Sequence, residues 1–302
     1  MPFEPDAVLA RRSLKQQLFV WRVIGVVALV AAIVVTIGRL NNGLAYKRDY
    51  LARYTIDGII TEDLQRDAAL SALARDDSVK GLLVHVNSPG GTVVGGEDLY
   101  TVLRDVAEEK PVVAILGTLA TSAGYMTAVA ADRIYAREGT VTGSIGVMFQ
   151  STEFTGLMEK LGISAEAIKS SPLKAQPSPL EPLTDEARAA TQELVMDIYQ
   201  FFLDLVADRR GLNDTEVRTL GDGRVYTGRQ ALRNGLIDAI GNESAAIDWL
   251  REERDVTRNL TIRDVVVHRD GQLWRNWISA LTEKTMYSEA LTLDGLVSIW
   301  HP

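Results

Sequence analysis

The chain contains no cysteine. Structural disulfides, thiolate nucleophiles and cysteine-based zinc sites are excluded together. Histidine is scarce: His85, His268 and His301 are the only 3 in 302 residues, and no pair of them has a metal-ligating spacing. No metal and no cofactor is expected. An excess of basic charge is lacking too. Lys and Arg number 32 against 40 Asp and Glu, a net charge of -8, and no Lys/Arg run interleaves with aromatics. That balance excludes a nucleic-acid partner. No internal repeat of fixed period is found. The remaining composition, 46% hydrophobic and 24% charged, is that of a globular protein with a substantial core.

One long apolar run is present. Residues 18–38, "LFVWRVIGVVALVAAIVVTIG", are long enough to span a bilayer as a helix. Arg22 stands near the start, where a long side chain snorkels to the interface. Arg11, Arg12 and Lys15 precede the run, and Arg39, Lys47, Arg48 and Arg53 follow it, a weak asymmetry favouring a cytoplasmic N-terminus. A secretory signal would have a shorter apolar core and a small-residue cleavage site after it. The following "GRLNNGLAYKRDY" offers no such site, so an uncleaved anchor is expected.

Beyond the anchor, strand and helix patterns alternate. "ARYTIDGII", "GLLVHV", "PVVAIL" and "DRIYA" read as strands. Between the second and third lies an amphipathic helix, "GGEDLYTVLRDVAEEK", with Leu99, Val102, Leu103 and Val106 on one face. "TSAGYMTAVAA" predicts a small-residue helix. A long helix is predicted from Thr184 to about Arg210, striped by Leu194, Ile198, Phe201, Phe202 and Leu205. "DGRVYTGRQALRNGLID" reads as turn, short strand and helix, and "TIRDVVVH" as a late strand. The alternation implies an α/β fold with a mainly parallel sheet covered by helices. The tail differs: Leu273, Trp274, Trp277 and Leu281 would share a helical face. Core packing, a docking or membrane-facing segment and a self-inhibitory tail all remain open for it.

The candidate chemistry lies in four segments. Ser122 stands between a buried strand and the small-residue helix. A serine there is most often only a helix cap; the functional alternative is a nucleophile exposed at a strand-to-helix corner. Asn87-Ser88-Pro89-Gly90-Gly91 follows "GLLVHV", and two glycines let backbone N–H groups approach a ligand as an oxyanion hole requires. Gly143-Ser144-Ile145-Gly146 offers a second concavity with a hydroxyl in it. Lys174 lies in a loop with Pro172, Pro177 and Pro179. A lysine serves as general base for a hydroxyl when desolvation lowers its pKa, and Ser–Lys pairs are a known variant of triad chemistry. Lys169 and His85 are the competing bases.

Together, "VNSPGG", "TSAGYMTAVAADRIYA", "TGSIGV", "KSSPLKAQPSPLEPLT" and "DGRVYTGRQALRNGLID" carry a resemblance. The chain resembles the signal peptide peptidase A family, the S49 serine peptidases, in their short form with a single catalytic domain, over about residues 52–250. The resemblance implies Ser122 as nucleophile, Lys174 as base, an oxyanion glycine within Gly90-Gly91, and Ser144 as the serine that supports the lysine. It further implies a ClpP/crotonase-like fold and a ring-shaped homo-oligomer facing the extracytoplasmic side of the cytoplasmic membrane. The expected organisation is a cytoplasmic segment at 1–17, the anchor at 18–38, the catalytic domain at 39–260 and a tail at 261–302. The expected activity is endopeptidase cleavage of apolar peptides: remnant signal peptides or unfolded segments near the bilayer. The alternatives are a crotonase-like acyl-CoA enzyme and a non-catalytic membrane scaffold.

Overall fold

The computed structural model describes residues 21–33, 36, 48–267 and 297–299. The chain divides into two compact units, Met1–Arg48 and Asp49–Pro302. In the first, residues 21–33 are helical (α1), with apolar side chains such as Trp21, Val26, Val27 and Leu29 exposed. Among the described residues no helix is long and apolar enough to cross a membrane. The ends of the expected anchor, 18–20, 34–35 and 37–38, lie outside the described residues, as do Leu273, Trp274, Trp277 and Leu281.

The second unit is a helix-covered α/β sheet. It begins with β1 (Tyr50–Asp57), α2 (Leu64–Arg75), β2 (Val79–Ser88) and β3 (Gly90–Thr92), then α3 (Val93–Glu109) and β4 (Val112–Thr121). A short helix, α4 (Ala123–Ala128), leads into β5 (Arg133–Ala136) and β6 (Val141–Gly143). α5 (Thr155–Lys160), α6 (Asp185–Arg210) and α7 (Asp214–Leu220) precede β7 (Val225–Thr227), α8 (Gly228–Arg233) and β8 (Ala239–Ile240). α9 (Glu243–Glu253), β9 (Thr261–Asp264) and β10 (Val297–Ile299) complete it.

The main sheet runs β7-β6-β4-β2-β1-β9, with β5 and β8 branching from β4. Every pairing in it is parallel except β6 with β7, which confirms the mainly parallel sheet. β9 extends the sheet edge past residue 260. Alternation along β2 sends Leu82, Val84 and Val86 to one core and Leu83 to the other. The larger core takes Leu70 of α2, Leu99, Leu103 and Val106 of α3, all of α4 except Gly124 and Thr127, and Phe202, Leu203 and Val206 of α6. The smaller core takes Ala246 and Leu250 of α9. Each fully buried leucine contributes about 2 kcal/mol of transfer free energy.

Helix boundaries follow local chemistry. Thr92 caps α3 by accepting from the Gly95 N–H, and Thr184 caps α6 by accepting from Ala187. α6 ends at Gly211 in the left-handed region, φ 63. The α6 stripe divides: Phe202 is buried, whereas Leu194 stays exposed. The helix expected from "TSAGYMTAVAA" is cut to six residues, closing in a turn at 129–132 where the chain enters β5.

β4 bends midway. Leu116 pairs with Val86 and Ala120 with Ser88, so three residues of β4 oppose Asn87 alone. The Asn87 side chain spans the irregularity, accepting from the Leu119 N–H at 3.3 Å and donating to Asp57 at 2.8 Å. The first half of β4 pairs with β5 and the second half with β6. Such bulges re-aim a strand next to a site. Here the redirected end of β4 delivers Ser122.

Candidate active site

Ser122 is the single residue between β4 and α4, and it is 1% exposed. Its backbone adopts φ 56, ψ -122, a region left almost wholly to glycine. Holding a serine there costs about 1–3 kcal/mol and requires surroundings that over-determine the conformation. They do: Ala120, Thr121, Ala123, Tyr125, Met126 and Ala128 are all buried. The Ser122 N–H donates to Gly143 O at 2.8 Å, and the Ser122 carbonyl accepts from the Met126 N–H at 2.9 Å. The Tyr125 hydroxyl donates to Leu236 O at 2.7 Å, and burial pushes its pKa up. The ordinary explanation of a serine at a helix start does not apply, because the Ser122 side chain makes no capping hydrogen bond to α4.

Strand register brings two of the other predicted segments to this corner. Thr121 pairs with Gly143, so Ser122 and Ser144 follow from adjacent positions at the carboxyl ends of parallel strands. That is where α/β sheets place ligands. Ser144 is itself buried at φ 51 and donates its N–H to Arg224 O at 2.9 Å. β7 lies antiparallel behind β6, Gly143 opposite Val225, which is why "DGRVYTG" belongs to the site: it backs Ser144. On the other flank, Thr121 Oγ1 donates to Pro89 O at 3.0 Å, fixing the Pro-Gly-Gly turn beside Ser122.

The two glycines differ. Gly90 has φ 120, and its N–H already donates to the buried Ser88 Oγ at 3.1 Å. The Gly90 carbonyl accepts from Ile60 N and Thr92 N donates to Ile60 O, each at 2.9 Å. Strand alternation therefore turns the Gly91 N–H and C=O toward the opposite edge. Gly91 can carry no side chain, because a Cβ would lie 1.8 Å from Ile60 O. The part played by Ser88 went unread in the sequence; a hydroxyl directly before Pro-Gly-Gly was the available signal.

The competing bases lie elsewhere. His85 alternates onto the α9 face of β2, its Nε2 2.6 Å from Glu243 Oε2, in a network with Arg53 and Asp264. The Arg53 guanidinium holds the Asp264 carboxyl below its usual range. This cluster ties α9 and β9 to the sheet. Lys169 is ion-paired with Glu181, which also accepts from Gln176. Lys174 is exposed, its N–H donating to Ser171 O at 3.1 Å. None of residues 146–186 around it is buried, and Phe154, Leu157, Leu161, Ile163 and Ile168 stand exposed. Just past Ser144 a cleft of about 650 Å³ opens, walled by Ile145, Val147, Met148, Val195 and Met196 on its apolar part and by Ser151, Arg188, Thr191, Gln192 and Asp222 on its polar part. Among the described residues no cluster could hold a metal ion.

Residues 104–257 match peptidase family S49. The chain is 33% identical over 232 residues to an Enterococcus faecium protein described as a signal peptide peptidase SppA, covering 76% of this chain and 67% of that one. It is 39% identical over 204 residues to a Synechocystis protein described as a protease, covering 67% and 73%. Among solved structures, a membrane-bound stomatin-specific protease superposes with a TM-score of 0.47 at 16% identity, over 72% of this chain and 98% of that one. ClpP1 of Listeria monocytogenes superposes with a TM-score of 0.45 at 15% identity, over 69% and 99%. The chain belongs to peptidase family S49, a family of serine peptidases.

Proposed function

We propose that the protein is a membrane-tethered serine endopeptidase with a Ser–Lys pair, on a ClpP/crotonase-like scaffold. The observation that carries this reading is the backbone of Ser122: a serine held in a glycine conformation, with no capping duty, beside Gly91 and Ser144. Ser122 Oγ adds to the carbonyl carbon of the peptide while Lys174 Nζ takes its proton. The Gly91 N–H donates to the developing oxyanion, and Ser144 hydrogen-bonds the lysine. Collapse breaks the C–N bond, and Lys174 returns the proton to the leaving amine. Water then releases the acyl group from Ser122 by the same proton route.

Within one chain Lys174 is exposed, on a segment in which no residue is fully buried. Phe154, Leu157, Leu161, Ile163 and Ile168 are all exposed along it, and a concentration of exposed apolar side chains favours a contact with another chain. Lys174 of one subunit therefore serves Ser122 of the next, and rotational symmetry repeats the contact around a ring. The apolar part of the cleft past Ser144, from Ile145 to Met148 with Val195 and Met196, offers room for the apolar side chains of released signal peptides. The apolar run at 18–38 anchors the protein in the cytoplasmic membrane, with the catalytic unit on the extracytoplasmic side.

Labelling with a fluorophosphonate probe and mapping the modified residue tests the nucleophile: the label is expected on Ser122 and lost in Lys174→Ala. Co-assembly of Ser122→Ala with Lys174→Ala subunits tests the pairing between chains, since mixed junctions restore a complete pair. A mixed assembly, verified by mass and still inactive, would place both residues in one chain.

A further inference from the structure

The segment between β1 and α2 holds β3 from behind. The Ile60 N–H donates to Gly90 O and the Ile60 carbonyl accepts from the Thr92 N–H, each at 2.9 Å. The backbone of Ile60 and Thr61 lies in a notch between two glycines. A Cβ on Gly91 would meet Ile60 O at 1.8 Å, and one on Gly95 would meet the Thr61 carbonyl carbon at 2.6 Å. Whatever places residues 60 and 61 therefore places β3, and with it the Gly91 amide. That duty falls on Arg66. Its Nη1 donates to Thr61 O at 2.8 Å, and its Nε donates to Asp67 Oδ1 at 2.7 Å. Arg66 is 6% exposed, a depth at which arginine is almost never found unless paired. It also stands in the first turn of α2, where the helix dipole disfavours a cation. Burial and the dipole both oppose a cation here, and the contact that the placement secures is the hold on Thr61.

We propose that Arg66 is a positioning residue for the oxyanion amide. This rests on the peptidase reading above. The guanidinium fixes Thr61, Ile60 clamps one edge of β3, and the Gly91 N–H is thereby aimed out of the other edge at the carbonyl oxygen of the scissile bond. Arg66 acts through Thr61 and Ile60, not on the substrate. An oxyanion donor counts most in the transition state, where charge develops on that oxygen. Loosening its aim therefore lowers kcat and leaves KM nearly unchanged. A displacement of about 1 Å is enough for a loss on the order of 10²-fold. A residue that only stabilised the fold would lower the melting temperature and leave kcat intact well below it.

The experiment compares the full chain with Arg66→Met, which fills the same space without donors, and with Arg66→Lys, which keeps the charge and a donor. Steady-state cleavage of an unstructured apolar peptide is measured well below each melting temperature. Amide exchange over residues 88–95 is followed in parallel by mass spectrometry. Arg66→Met is expected to lower kcat about 10- to 100-fold with KM within about twofold, and Arg66→Lys to recover part of that loss. The Thr92 amide, which donates to Ile60 O, should exchange faster in Arg66→Met than in the parent. Unchanged kcat in folded Arg66→Met overturns the proposal, as does a loss carried by KM alone. If Arg66→Met does not fold, Arg66→Gln takes its place under the same two criteria. Ser122→Ala, assayed alongside, reads the peptidase assignment separately. If cleavage survives Ser122→Ala, that assignment fails, and amide exchange still decides the hold on β3 without any turnover. Faster exchange in Arg66→Met supports that hold, and exchange at the parent rate refutes it.

Discussion

Every residue from Ala120 to Ala131 is buried, and none from Gly146 to Glu186 is. The first stretch carries Ser122; the second carries Lys174. A buried corner has neighbours on all sides, so it can hold a serine in a conformation that costs energy. The exposed segment has no such support: Ile168 is 99% exposed, and its apolar neighbours Leu157 and Leu161 also face outward. One half of the proposed pair is positioned by the chain's own core, and the other lies on a segment in which no residue is fully buried. Substitutions in the two regions should therefore fail differently.

The largest effect is expected at the corner. Ser122→Ala should cut peptide turnover by about 10³–10⁶ while the melting temperature barely moves, because alanine keeps the strained backbone. Ser122→Gly should be equally inactive and more stable than Ser122→Ala, since glycine occupies φ 56 without penalty. Thermal melts of the two variants separate strain from chemistry. A glycine variant less stable than the alanine one would show that the corner stores no strain.

Gly91→Ala comes next. The new Cβ would meet backbone, the Ile60 carbonyl, and not a movable side chain. A loss of about 3 kcal/mol or more is expected, which for a unit of this size lowers the melting temperature by roughly 6–12 °C. A variant as stable as the parent would mean that β3 and Ile60 shift freely, and the fixed aim of the Gly91 amide would then be lost from the mechanism.

Ile168→Asp probes the other region. An exposed side chain with no core partner should change the stability of the chain by less than about 0.5 kcal/mol. If this surface meets a second copy, light scattering should nonetheless report a smaller species and turnover should fall. An intact assembly with full activity would remove the segment from the subunit contact.

The same contrast governs what could be read from the sequence. "GLLVHV" and "PVVAIL" are buried on both faces and run as continuous apolar stretches, so strands and parallel pairing were legible. α3 was legible because Leu99, Leu103 and Val106 repeat at helical spacing. α2 was passed over: its buried apolar residues are only Leu70 and Leu73, and Leu64 faces solvent. Ser122, Ser144 and the Pro-Gly-Gly turn stand out as motifs, but their meeting depends on the register of β4 with β6 and on the Asn87-spanned bend, neither of which has a local signature. The differing duties of Gly90 and Gly91 emerge only from where Ile60 and Ser88 place their hydrogen bonds. For Lys174, a Pro-containing loop was readable, whereas nothing in its own segment signals a partner for its side chain, which is exposed.

The smallest predicted effect lies in the well-packed region and concerns charge. Asp98 sits on α3, where burial raises its pKa above the ordinary 3.8; Asp67 raises it further, Arg66 opposes, and Glu62 adds to the rise. A carboxyl whose pKa is raised by folding is harder to ionise in the folded chain than in the unfolded one, so its ionisation destabilises the fold. The penalty is absent below the unfolded value, grows as pH climbs from there through the folded value, and is complete above it. Asp98→Asn removes the charge and keeps the shape. Its melting temperature should exceed that of the parent by about 1–2 °C at pH 7 and match it at pH 3. Scanning calorimetry at the two pH values checks this. A gain of the same size at both would assign the effect to packing, and a loss at pH 7 would mean that the Asp98 carboxylate is held by Arg66 more strongly than burial and its acidic neighbours oppose it.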